Sequence, residues 1–166
     1  MISTLNDRIG RAVSWLTFVL VLLVVVDVTL RYLFNQTAVW IGEMEWHLFA
    51  FIFLLGAGYA LRHDRHVRVD LFYDKFSPRD KALVNLVGHI VLLLPWTVLL
   101  IWVSTKYAFD SYQMGEGSPD PGGLPFRFVV KAAIPLGFFL LFLQGLAEIA
   151  KNWQVYRHEE VVDANG

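Results

Sequence analysis

"AVSWLTFVLVLLVVV", Ala12 to Val26, runs without a charge, and Arg8 and Arg11 stand just before it. Basic residues ahead of a short apolar core also open a secretory signal, but a signal ends in a small-x-small cleavage site. None follows here. The chain continues as "DVTLRYLF", Asp27 to Phe34, and the joined stretch is long enough for a hydrocarbon core that takes about 20 helical residues. The reading is a retained signal anchor, and the fold depends on whether other segments match it.

Three do: Ile41 to Leu61, Ala82 to Thr105 and Phe128 to Ile149. Each is apolar nearly all round. In a chain of 166 residues, 56% hydrophobic and 17% charged, too little other sequence exists to cover four such helices from water. The sequence therefore predicts an all-α integral membrane protein. It forms one domain over residues 1–166, with transmembrane helices at about 12–34, 41–61, 82–105 and 128–149 arranged as a bundle.

Ten lysines and arginines flank the side that holds both ends of the chain, and four, Arg31, Lys106, Arg127 and Lys131, flank the other. The positive-inside rule then places both termini in the cytoplasm, N-in and C-in. "NQTA", Asn35 to Ala38, is long enough only to reverse direction, so the first two spans form an antiparallel hairpin. In the inner loop Val69, Phe72, Tyr73 and Phe76 recur at helical spacing opposite Arg68, Asp74 and Lys75, which predicts a short amphipathic helix in the interface. "SPRD", Ser77 to Asp80, is a capping-box variant that starts the third span. The outer loop, Phe109 to Phe126, carries Asp110, Glu116 and Asp120 without lysine or arginine, and its glycines and prolines predict an irregular acidic lid.

Cysteine is absent, which excludes disulfides, thiolate metal sites, thioether-linked haem and cysteine nucleophiles. A net charge of -1 gives no reason to expect nucleic acid. The stretch "RHDRHVRVD", Arg62 to Asp70, places His63, His66 and Asp70 where one helix face could gather them as metal ligands. Arg62, Arg65 and Arg68 interleave with them and would repel a divalent cation, so the expectation is a charged helix foot that binds lipid phosphates.

Asp27 and Arg31, four apart, share a helix face and neutralise each other. Glu43 and Glu45 open the second span and are expected to face the bundle or a partner rather than lipid. A proton or ion path would need carboxylates continuing towards the cytoplasm, and the second span is uncharged from there to Leu61. His47 and His89 invite a haem reading, but helical rise puts them at depths differing by roughly 10 Å. Pro95 and Pro135 interrupt the third and fourth spans without the paired breaks that build a substrate site. The chain is read as a non-enzyme that binds no cofactor and does not transport alone. A haem-carrying electron-transfer anchor and an independent small channel or exporter are the rival classes.

"RYLFN" (Arg31 to Asn35), the Trp40 and Glu43 of "VWIGE", "LGAGYALRHDRHVRVD" (Leu55 to Asp70) and "LPFRFVVKAAIPLGF" (Leu124 to Phe138) together resemble the small membrane subunit of tripartite ATP-independent periplasmic (TRAP) transporters, the DctQ-like or Q subunit. The likeness covers nearly the whole chain. Its most specific piece is R-x-x-x-H-V-x-V-D, and one departure is that Met44 separates Glu43 from Glu45 where the family's acidic pair is often adjacent. The resemblance implies a four-helix subunit in the bacterial inner membrane. A larger membrane subunit beside it would carry the substrate site and sodium coupling, and a periplasmic solute-binding protein would deliver an organic acid. On that likeness Asp27, Arg31, Trp40, Glu43, Arg62, His66, Arg68 and Asp70 are expected to anchor the subunit to its partner or to phospholipid, with Gly56 and Gly58 allowing close helix approach.

Overall fold

A computed structural model describes residues 2–63, 73 and 75–164, with side chains as far as residue 158. The secondary structure it shows is helical. Four helices are long and apolar enough to cross a membrane: α1 (Ile2–Leu33), α2 (Val39–Arg62), α3 (Pro78–Gln113) and α4 (Phe128–Ala164). The expected interfacial helix, with His66, Arg68 and Asp70, lies outside the described residues except for Tyr73, Lys75 and Phe76 at its end.

Local chemistry sets the ends. α1 stops at Asn35, whose φ of 50° is left-handed, and the Gln36 amide donates back to the Leu30 carbonyl at 3.0 Å. Ser77 caps α3 by accepting from the Asp80 amide at 3.2 Å, with Pro78 at the first helical position, as the sequence predicts. At 36 residues α3 is about 54 Å long, so it projects well past a hydrocarbon core of about 30 Å. Its middle is a π-helical turn, Gly88–Leu93, directly ahead of Pro95. Proline has no amide and its ring crowds the carbonyl four residues back, and a wider turn relieves both without breaking the rod.

The helices line up in the order α1, α2, α4, α3. α4 is the centre: it packs along both α2 and α3, whereas α1 rests chiefly on α2 and meets α4 mainly near its own start. Alternating direction puts both termini at one end, the terminal end, and the lid at the other. The seams are close because small residues sit in them. A Cβ added at Gly137 of α4 would stand 2.6 Å from the Leu54 carbonyl oxygen of α2, and one at Gly58 would stand 3.2 Å from the Leu140 carbonyl oxygen.

Burial is inverted relative to a water-soluble protein. The largest fully buried side chains are Gln144, Asn6, Thr97 and Ser111, while Trp15, Phe53, Leu92 and Trp102 are each about 70% exposed. Polar groups turned inwards and large apolar ones outwards suit a solvent of lipid chains, in which an unpaired polar group is the costly one.

Candidate functional site

Polar side chains gather at the two ends of the helices, and each gathering ties together segments remote in sequence. At the lid end the centre is Glu43, one turn into α2 and 7% exposed. Its carboxylate accepts from the Ser118 hydroxyl and from the Leu124 amide at 2.5 Å, and the Arg127 guanidinium stands 3.6 Å away. One anionic side chain thus holds the first and last parts of the loop. Within the loop the Ser118 amide donates to the Leu124 carbonyl at 3.0 Å and the Arg127 amide to the Glu116 carbonyl at 2.9 Å. Gly122 and Phe126 adopt positive φ, 80° and 64°, to make the turns. The expected irregular lid is therefore closed on itself and latched to α2.

Glu116 is the second anchor of the lid. It accepts from the Lys131 ammonium of α4 and from the Ser111 hydroxyl at 2.7 Å. The Lys131 hydrogen bond first, then that from Ser111, hold its carboxyl below the usual carboxylate range. Lys131 also lies 4.1 Å from the centroid of the Tyr107 ring, and Arg127 lies 5.9 Å from that of Trp46. His47, one turn below Glu43, is buried with Nδ1 2.5 Å from the Glu43 carbonyl oxygen, which can only accept, so Nδ1 carries the proton. Among the described residues, one buried carboxylate oxygen of Glu45 and the buried Nε of Arg127 have no hydrogen-bond partner.

At the terminal end a second network crosses three helices. Asn6 donates to Gln144 at 3.1 Å, Gln144 donates to Glu148 at 3.0 Å, and Asn152 donates to the Glu148 carbonyl at 2.8 Å. Asn85 of α3 donates to Asn152 at 3.2 Å and to the Tyr73 hydroxyl at 3.0 Å. Arg62 turns inwards as well: it donates to the Ser3 carbonyl and stands 2.6 Å from Asp7, which His63 also approaches at 3.1 Å. The start of α1 is thereby clamped to the foot of α2.

Of the residues singled out in sequence, Glu43 and Arg62 bind within the chain, and Asp27 is paired with Arg31 on α1. The Asp27 carboxylate is buried and the Arg31 side chain about half exposed. Trp40 is 47% exposed at the start of α2, and a Cβ at Gly56 would meet nothing within 4 Å. Gly58, by contrast, lies against both Asn6 and α4. His47 and His89 are not brought to one space, since His89 lines a groove between α3 and α4. Sequence reasoning missed Asn6, Asp7, Gln144 and Glu148. The i, i+4 spacing of Gln144 and Glu148 inside an apolar run was the signal available for the last two.

Between the two ends the buried polar side chains described are Thr97 and Ser104, and both hydroxyls donate to carbonyls of their own helix. Among the described residues no chain of polar groups links one end to the other.

The profile of the family described as "Tripartite ATP-independent periplasmic transporters, DctQ component" matches residues 20–155. Among similar proteins is the ectoine TRAP transporter small permease protein TeaB of Halomonas elongata. It is 31% identical over 143 residues, which cover 84% of this chain and 72% of that protein. Another is the C4-dicarboxylate TRAP transporter small permease protein DctQ of Vibrio cholerae, 29% identical over 154 residues, 81% of this chain and 65% of that protein.

Proposed function

The chain belongs to the DctQ component family of tripartite ATP-independent periplasmic transporters, and from that premise we propose that it is the small permease subunit that holds a larger membrane subunit at fixed depth and tilt. The larger subunit carries the substrate and couples its entry to sodium. A periplasmic binding protein delivers the solute, an organic acid or related small molecule. Both termini lie in the cytoplasm and the lid in the periplasm, in keeping with the excess of lysine and arginine at the terminal end.

The observation that carries this reading is the separation of the polar clusters. Each cluster is spent on fastening helices or loop, and among the described residues the middle of the molecule offers no succession of groups along which an ion or solute could be handed. What remains is a stiff plate with broad apolar faces, which is what a support for a moving neighbour requires. Within that role Glu43, Gly58 and Arg62 shape the plate. The outward groups Arg31, Trp40 and Gly56 are assigned to the partner face, and His66, Arg68 and Asp70 to the partner or to phospholipid at the inner surface.

The test is reconstitution. Liposomes holding this chain alone should accumulate no labelled solute under a sodium gradient. Liposomes that also hold the large subunit and receive the binding protein should accumulate it, and omission of this chain should abolish uptake. Uptake by this chain alone, or undiminished uptake without it, would refute the proposal.

A further inference from the structure

Past its first turn, α2 exposes Gly42, Trp46, Phe49 and Phe53, and the series continues through Gly56 and Ala60 towards the terminal end. The steps alternate four and three. That repeat of 3.5 residues keeps a row of positions on one side of a helix and is the pattern of a helix-packing seam. A helix edge that faces lipid alone exposes successive residues instead, as α1 does at Val24, Val25 and Val26. From Gly42 to Ala60 the row runs about 27 Å, nearly the thickness of a hydrocarbon core of about 30 Å. Whatever lies along it is itself membrane-spanning.

The row has relief. A Cβ at Gly42 or at Gly56 would meet nothing within 4 Å, so each glycine is a hollow where another main chain can come close. Between the hollows the Phe49 and Phe53 rings stack with centroids 6.5 Å apart and make a ridge. These two and Trp46 also wall a groove of about 540 Å³, completed by Val130 and Ile134 of α4 and Tyr107 of α3. Glu45 adds a chemical requirement. It lies between Gly42 and Phe49 on the helix surface, and one buried oxygen of its carboxylate has no hydrogen-bond partner among the described residues. An anion in the second turn of a span is costly until a cation or an N–H or O–H donor is brought to it.

We propose that the row from Gly42 to Ala60 is where one transmembrane helix of the large membrane subunit docks. It crosses α2 at about +20°, sets side chains into the two hollows and brings a basic or hydrogen-bond-donating group to Glu45. Charge selects this occupant over the others. Acyl chains carry no donor for the carboxylate. A second copy, inserted in the same direction with its own α2 against this one, would bring a like charge to the same depth, where the medium screens it poorly. The inference deepens the small-subunit reading and rests on it.

The test is to co-express the tagged full chain with the large subunit, extract both in mild detergent and measure the large subunit retained per tagged chain. Gly56→Leu fills a hollow with a good helix former, so the isolated variant should melt no lower than the parent, yet it should retain about tenfold less large subunit. Gly88→Leu, the same change at an open glycine of α3, should retain as much as the parent. Glu45→Lys sets a cation against the partner's donor and should lower retention about tenfold. Photo-cross-linking identifies the neighbour: p-benzoylphenylalanine in place of Phe53 should capture the large subunit several times more often than the same probe in place of Val25. Undiminished retention in Gly56→Leu or in Glu45→Lys would overturn the seam and leave the small-subunit reading standing. So would equal loss in Gly88→Leu, equal capture from the two probe sites, or capture of a second copy from Phe53. An unaltered chain that retains no large subunit would remove both.

Discussion

Gly137→Ala probes the seam that sets the spacing of α2 and α4. The added methyl would stand 2.6 Å from the Leu54 carbonyl oxygen and 2.8 Å from its carbonyl carbon, main-chain atoms that no rotamer change can move. The two helices must part by roughly 0.8 Å to restore ordinary contact. Overpacking of this kind costs about 1–3 kcal/mol. Replacing glycine by alanine inside a helix returns about 0.5–1 kcal/mol, which leaves a net loss of up to about 2.5 kcal/mol. Gly56→Ala, on α2 itself, has the return without the clash, because a Cβ there meets nothing within 4 Å. It should therefore stabilise by about 0.5–1 kcal/mol. Each kcal/mol moves the melting midpoint of a chain this long by about 2–4 °C. In a thermal melt followed by helical circular dichroism in one detergent, the two variants should separate by roughly 1–14 °C, with the parent between them. A Gly137→Ala chain that melts with Gly56→Ala, or above the parent, would show that α2 and α4 are not in main-chain contact at Leu54.

Asn6→Ala and Gln144→Ala should each cost about 1–3 kcal/mol, because the surviving partner is left buried and unpaired, and a double-mutant cycle should return a coupling of about 0.5–3 kcal/mol. Additive losses would show that the bond between them carries nothing. For Glu116 the folded carboxyl titrates below its unfolded value, so its hold on the lid is fully present above the usual carboxylate range and is lost as pH falls through the folded value. The protection of amides 114–127, that is, their exchange relative to the free-peptide rate at the same pH, should therefore fall on acidification below about pH 4.5 in the parent. Glu116→Gln should exchange faster at neutral pH and lose that pH dependence; a flat profile in the parent counts against the Lys131 clasp. Glu43→Lys removes the acceptor shared by Ser118 and Leu124 and sets a cation beside Arg127, so limited proteolysis should cut the lid sooner and co-purification with the large subunit should weaken. An unchanged cleavage rate would mean that the lid is held by its internal bonds alone.

The fold was legible because the decisive signal is length. An uncharged run such as Ala12 to Val26, extended by Asp27 to Phe34, has few ways to be satisfied, and three further runs of the same kind leave lipid as the solvent. Contacts within a turn or two were legible for a similar reason: the Ser77 cap and the Asp27–Arg31 pair follow from spacing alone. What sequence could not supply is which helix lies beside which. Helices apolar all round have no stripe that points to a neighbour, so nothing along the chain announces that Asn6 will meet Gln144, or Glu43 the Leu124 amide. Pro95 signalled a disturbance in the third span, but not that a π-helical turn ahead of it would open a groove.

The open order α1, α2, α4, α3 follows from that same physics. In water, four apolar helices would close around a common axis to hide the greatest area, and α1 would meet α3. Lipid chains remove that incentive, so neighbours are chosen by what lipid cannot provide: main-chain approach at small residues and partners for polar groups. Gly58 and Gly137 select α2 against α4, Asn85 with Asn152 selects α3 against α4, and Asp7 with Arg62 selects α1 against α2. Each device joins one pair of helices and none joins α1 to α3 among the described residues, so the arrangement stays open. The two edges and both broad faces are left apolar. Such a shape is costly for a lone molecule in water and costs nothing in a bilayer, where it gives a larger subunit a surface against which it can move without pulling its support apart.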